Sequence, residues 1–343
     1  MAETESPAAL LRHCPAYAPT PLVDLPELAT ALGVASVLIK DEGRRPLGSF
    51  KALGGVYAGL RALGRAAGVS AQALLDPARG RRSLPALVCA SAGNHGLSVA
   101  AAARLAGTRA RVFMSQAIPE ARAARIAAKG AEVVRAAGSF DDAVSAAIEA
   151  ARAGGDLLIP DTSRDPDDPV VGDVVAGYGI IAQEVRAQLT AARRLAPTHL
   201  FVQAGVGGLA AAMTAGLSAT LAPPARIVVV EPEGAACVAA GLAARRPVRI
   251  DGSLEGSAEM LACGEASAPA LAVLLGHGVE SLEVAETALR AAPAFLTAHG
   301  GPATTPSGAA GLAGLRRALA DPQLVARTRE SRVLLVVSES PPA

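Results

Sequence analysis

Short apolar, β-branched runs alternate with alanine-rich stretches of helical period along nearly the whole 343-residue chain. Runs at residues 37–39, 86–90, 110–114, 132–135, 156–159, 199–203, 227–231 and 333–337 read as strands. Helical stretches occupy 50–67, 96–105, 120–129, 140–153, 174–189, 209–221, 235–244 and 307–319. Apolar strands alternating with helix-length segments point to parallel sheets covered on both faces, so the expected fold class is α/β. The length suffices for one large or two ordinary domains. Two stretches break the pattern: 164–173, rich in Pro and Asp, reads as a mobile loop or crossover, and the irregular 245–269 suits an active-site lid. Ligands in such sheets sit where strand C-termini meet helix N-termini, which is where chemistry is to be sought.

Composition narrows the function classes. Hydrophobic residues make up 51% but aromatics only 2%, with no Trp, so Ala, Val and Leu must fill the core. Lys plus Arg number 32 against 31 acidic residues, and a net charge of +1 provides no field for nucleic acid or an anionic membrane. The Arg79-Gly80-Arg81-Arg82 stretch is short enough to be a solvated loop. Cys14, Cys89, Cys237 and Cys263 are scattered without a CxxC pair, which argues against a disulfide framework or a cysteine zinc site. The N-terminus lacks signal-peptide regions, and most apolar runs are broken before the roughly 20 residues a spanning helix needs. A cytoplasmic setting is expected, with no membrane or nucleic-acid partner and no metal.

Three strand–loop–helix junctions carry candidate chemistry. In Gly48-Ser49-Phe50-Lys51-Ala52-Leu53-Gly54-Gly55, a lysine sits among apolar and small neighbours, where a neutral amine can attack an aldehyde. A solvated lysine at a helix start is the plainer reading. Ser91-Ala92-Gly93-Asn94-His95-Gly96 opens a helix whose N–H groups can receive a carboxylate, or is simply an N-cap loop. Gln203-Ala204-Gly205-Val206-Gly207-Gly208-Leu209 can nest a phosphate, or can be a tight turn. It is neither GxGxxG nor a Walker loop.

Taken with Pro306-Ser307-Gly308-Ala309-Ala310-Gly311-Leu312, these junctions resemble, in order, the motifs of the fold-type II pyridoxal-phosphate (PLP) family, over about residues 20–338. The resemblance implies a tryptophan synthase β-like fold of two doubly wound parallel-sheet domains, 1–170 and 171–343, interleaved with the site between them. It implies PLP carried on Lys51 as a Schiff base, Phe50 beside the ring, Asn94 at its phenolic oxygen and Gly205, Val206, Gly207, Gly208 and Leu209 around its phosphate. Ser338 stands where the family has a neutral partner for the pyridine nitrogen. Ser91, Ala92, Gly93, Asn94 and His95 would hold the carboxylate of a small amino-acid substrate, and a homodimer is implied.

Within the family, Lys51-Ala52-Leu53-Gly54-Gly55, Pro160-Asp161-Thr162-Ser163, Gly177-Tyr178-Gly179 and Leu261-Ala262-Cys263-Gly264-Glu265 are similar to diaminopropionate ammonia-lyases. The implied reaction is α,β-elimination from 2,3-diaminopropionate to pyruvate and ammonia, with Asp161 as general base or leaving-group acid beside Lys51. A helix cap or surface carboxylate is the bland alternative for Asp161. Two positions depart from the pattern. Those lyases usually carry an aspartate where this chain has Ala92, so little activity on the D-isomer is expected. Glu231 and Ala235 match the cation site of serine racemase-like relatives, but Cys237 replaces the expected acid. A β-substitution synthase, a serine or threonine dehydratase and a non-catalytic PLP-binding protein are the competing readings.

Overall fold

The computed structural model describes residues 5–14, 16–76, 83–252, 254–321 and 330–341. The Arg79–Arg82 stretch lies outside the described residues. In chain order the strands are β1 Leu22–Asp24, β2 Ser36–Asp41, β3 Leu87–Ala90, β4 Ala110–Ser115, β5 Glu132–Ala136, β6 Leu157–Leu158, β7 His199–Gln203, β8 Arg226–Pro232, β9 Glu280–Val284 and β10 Arg332–Val337. Each run expected as a strand is one; β1 and β9 are additional. The chain divides into two compact units, and the division is not a single cut near residue 170. One unit comprises Met1–Ala18, Lys51–Asp161 and Asp168–Ile180; the other comprises Pro19–Phe50, Thr162–Asp167 and Ile181–Ala343.

The first unit holds a four-stranded sheet in the order β5-β4-β3-β6, parallel throughout. The chain lays down β3, β4 and β5 in one direction, then returns to place β6 on the free side of β3. Right-handed crossovers on either side of that reversal put their helices on opposite faces, which is double winding. The reversal also opens a crevice beyond the C-terminal ends of β3 and β6. Small residues make the layers close: Ala143, Ala147 and Ala151 of the helix Phe140–Gly154 pack on Val88 and Phe113. The helix Lys51–Ala67 lies against the helix Asn94–Ala106. A β-carbon at Gly55 would run into Ser98 Oγ, and one at Gly59 would lie 2.7 Å from Ala102 Cβ. The glycines after Lys51 are therefore packing residues, and they fix where the lysine-bearing end of the helix sits.

The second unit holds a six-stranded sheet in the order β1-β2-β10-β7-β8-β9, parallel except for the antiparallel β1. The same reversal recurs. The chain runs β7, β8, β9 outward and then inserts β10 between β7 and β2, so the crevice of this unit lies beyond β7 and β10. Ile39, Phe201, Val230, Val284 and Leu335 form its core with Leu289, Leu296 and Leu312. A buried ion network lies at the end of β2. Lys40 Nζ donates to Glu184 at 2.6 Å and to the Thr20 carbonyl at 2.7 Å. Arg45 donates to Glu42 at 2.6 Å and to Glu184 at 2.7 Å, while Thr20 Oγ1 donates to Glu42 at 2.5 Å. Two cations and two carboxylates cancel, as burial of charge requires.

Both irregular stretches are more ordered than the sequence suggests. The helix Pro169–Ala191 starts inside the first, with Asp168 Oδ1 accepting from the N–H groups of Val170 and Val171 at 2.9 and 3.0 Å. Arg164 grips Glu265 with two bonds of 2.6 and 2.7 Å. The second folds back on itself through Ile250 N to Gly264 O at 2.9 Å, and is tied by Met260 N to Ser307 Oγ at 3.1 Å.

Candidate active site

In the first unit the crevice beyond β3 and β6 gathers half of the site residues singled out in the sequence. Lys51 is the first residue of its helix, and its Nζ donates to Asp161 Oδ2 as an ion pair. Asp161 follows β6 by three residues and is half-buried. Ser91, Ala92 and Gly93 form the loop leaving β3, and Asn94 is the first residue of the helix Asn94–Ala106. Ser91 Oγ accepts from Gly93 N at 3.0 Å and from Gly96 N at 2.8 Å, so it builds the loop. Gly93, with φ 157° and ψ −86°, adopts a backbone conformation open only to glycine. His95 is buried and bonds through Nε2 to the carbonyl of Ile159 at 2.8 Å. A carbonyl only accepts, so the imidazole carries its proton on Nε2.

The electrostatics of this cluster follow from burial and the ion pair. Burial raises the Asp161 carboxyl, but the Lys51 ammonium and its hydrogen bond reverse this and hold it below the usual carboxylate range. Burial lowers His95, so the ring stays neutral despite the nearby Asp161 charge. Burial pushes up the Cys89 thiol and the Tyr178 phenol, both close enough to feel Lys51 and Asp161. The site thus holds one fixed carboxylate and one amine among neutral groups.

In the second unit the remaining residues cluster at the other crevice. The loop after β7 leads to the helix Gly208–Leu217, with Gly207 as its N-cap at φ 96°, a left-handed conformation that disfavours any side chain. No side chain caps this helix start, and its first N–H groups lack intrahelical acceptors, as at any helix. A β-carbon at Gly205 would meet Cys263 Sγ at 2.9 Å and Met260 O at 3.2 Å. Val206 O accepts from Ser267 N at 2.9 Å, so residues 260–267 form the bed of the loop. Ser338, just past β10, is buried, and its carbonyl accepts from Phe50 N at 3.1 Å. An uncapped glycine nest, a lysine beside a carboxylate and a buried neutral serine are groups suited to the phosphate, aldehyde and ring nitrogen of PLP.

Sequence reasoning weighed Glu231 and Cys237 only as a cation site and missed their place beneath the glycine loop. Glu231 is buried at the end of β8 and accepts from Val238 N and Ala239 N at 2.7 and 2.8 Å, while Cys237 Sγ donates to Gly205 O at 3.3 Å. A lone acid ending the run Val228-Val229-Val230 was the available signal. Among the described residues, no group of His, Cys, Asp and Glu is arranged to hold a metal ion, and no helix is long and apolar enough to cross a membrane.

Comparison with known proteins agrees with this chemistry. The chain is 31% identical over 255 residues to diaminopropionate ammonia-lyase of Escherichia coli K12, an alignment covering 73% of this chain and 63% of the lyase. It is 35% identical over 232 residues to a biosynthetic L-threonine dehydratase of Pasteurella multocida, covering 68% and 39%. It therefore spans less than two thirds of these relatives' length. The crystal structure of holo diaminopropionate ammonia-lyase from E. coli superimposes with a TM-score of 0.87 at 26% identity, over 97% of this chain and 87% of that one. That likeness makes the fold tryptophan synthase β-like. The sequence model described as "Pyridoxal-phosphate dependent enzyme" matches residues 14–339, and the chain belongs to that family.

Proposed function

We propose that the chain is a lyase that converts 2,3-diaminopropionate and water to pyruvate and two molecules of ammonia. The observation that carries this reading is the Lys51–Asp161 pair. When bound, PLP supplies an electron sink beside the substrate Cα, which makes the α-hydrogen acidic. The chain's own residues do the rest. Lys51 carries the cofactor and, as a free amine, removes the α-proton. Asp161 stays ionised and is a counter-charge for a β-ammonium, a match that a serine or threonine hydroxyl does not make. The ammonium leaves as neutral ammonia, taking the bonding pair and needing no proton. Asp161 also serves as a second base beside Lys51.

The remaining roles follow from what each group has left to offer. Ser91 Oγ and His95 Nε2 are engaged within the protein, so the substrate carboxylate falls to N–H groups of the 91–95 loop and helix start. Asn94 serves the phenolic oxygen of PLP, Phe50 the face of its ring, and Gly205 to Leu209 its phosphate. Ser338 is a neutral partner for the pyridine nitrogen and leaves it unprotonated, which favours elimination.

The test is pyruvate formation from L-2,3-diaminopropionate, followed through lactate dehydrogenase. Wild-type protein is expected to turn over and Lys51→Ala to lose at least about 1,000-fold in rate. The threonine dehydratase relative motivates the second reading, and faster 2-oxo acid release from threonine or serine would select it. Product only with an added nucleophile would make the chain a synthase. Bound PLP without any turnover would leave a binding protein.

A further inference from the structure

We propose that His95 is a positioning residue that sets the reach of Asp161 through the Ile159 carbonyl, rather than a ligand of the substrate. This rests on Asp161 acting as proposed above. The bond from His95 Nε2 to Ile159 O is 2.8 Å and spans from the second residue of one helix to the residue that follows β6. Ile159 is pinned on its other side, where its N–H donates to Val88 O at 2.8 Å and extends the β3–β6 ladder by one bond. Pro160 comes next, with its φ fixed near −65° by the ring. The orientation of the Ile159 carbonyl therefore propagates through one stiff residue to Asp161. The imidazole fastens that carbonyl to the helix whose start bears Asn94, so the acid and the 91–95 loop are held as one body.

The other ring nitrogen separates positioning from ligation. His95 Nδ1 is buried and has no hydrogen-bond partner among the described residues. With the proton on Nε2, that nitrogen is a lone-pair acceptor, which repels a carboxylate. A substrate acid group would need an Nδ1–H donor or an imidazolium. Burial lowers the ring's proton affinity, with Lys51 acting the same way and Asp161 and the Ile159 carbonyl opposing. The groups facing Asp161 are Lys51, His95, Cys89 and Tyr178, and the last two are driven further toward their neutral forms by burial. Any loosening of the Ile159 carbonyl from His95 therefore acts on Asp161 through the Lys51 pair, because no other charged partner stands among them.

The experiment compares wild type, His95→Leu and His95→Gln as full-length, PLP-loaded protein. Glutamine places an N–H donor close to where Nε2 lies; leucine has none. Histidine-selective 15N spectra of the wild type are expected to show a neutral ring protonated at Nε2 from pH 6 to 9, with or without substrate. His95→Leu is expected to lower kcat by about 10- to 100-fold with KM within about twofold. The acid limb of its kcat–pH profile should move up by about one unit, and His95→Gln should restore most of both. A proton on Nδ1 in the spectra, a KM that rises in both variants, or a glutamine no better than leucine would each overturn the proposal. Should the wild type turn over no amino acid, the lyase reading fails while the 15N spectra still decide the ring's role. Should the leucine variant not fold, the glutamine variant and those spectra decide it.

Discussion

A cation in the first turn of a helix opposes the helix dipole, so Lys51 owes its place to a specific neighbour. Asp161 is that neighbour, and under the proposed lyase reading the same carboxylate favours a cationic β-substituent. Ala92 supplies the complementary information. It leaves the loop after β3 without an acid, so an enantiomer presenting its α-hydrogen away from Lys51 finds no base there. Ala92→Asp is expected to raise turnover of D-2,3-diaminopropionate by at least about tenfold while the L-isomer changes little; equal rates for the D-isomer before and after would refute the assignment. At this scale the sequence was legible wherever residue types sit in an ordered motif. It was silent on orientation. That Ser91 Oγ accepts from Gly93 N and Gly96 N, and so builds its own loop, is not written in its letter. The Ile159 bond of His95 joins residues 64 apart, beyond the reach of local patterns.

The strands that escaped notice, β1 and β9, are the two edges of the six-stranded sheet. β9, Glu280–Val284, is a sheet edge, and its burial alternates under charged positions that keep an exposed edge from pairing further. The helix Glu286–Ala298 carries Pro293 in its interior, which argues against a helix when read alone. β6 is only two residues long, yet it closes the reversal on which Asp161 depends. Buried strands such as β7 and β10, with apolar residues through their centres, were plain. The ion network at the end of β2 has a different status, because it joins that strand to Glu184 and Gln188 on the helix Pro169–Ala191. Glu184→Ala removes the shared acceptor of Lys40 and Arg45 and leaves buried positive charge. The expected loss is about 3–5 kcal/mol of stability by denaturant unfolding. A Lys40→Met, Glu184→Leu pair should lose less than the single change.

Over the whole molecule, charge balance hides a pronounced pH dependence. Burial pushes the Glu231 carboxyl from its ordinary 4.5 up to about 8, against the lowering pull of the Val238 and Ala239 N–H groups. The folded chain then binds a proton there that the unfolded chain releases above about 4.5, so stability falls as pH rises from that value to about 8. The slope from this one group is at most about 1.4 kcal/mol per pH unit. Glu231→Gln is expected to flatten the fall in melting temperature between pH 5 and 8; an unchanged slope would show that the carboxylate is already ionised when buried.

The strand order also carries a timetable. Every strand of the four-stranded sheet lies between residues 87 and 158, so that sheet can close once this stretch has been synthesised. The six-stranded sheet cannot. Its middle position belongs to β10, and until residue 337 emerges β2 and β7 face an open slot with unpaired N–H and C=O groups on both sides. During synthesis the last strand made is the keystone of the larger sheet, and the growing chain must protect two apolar edges until it arrives.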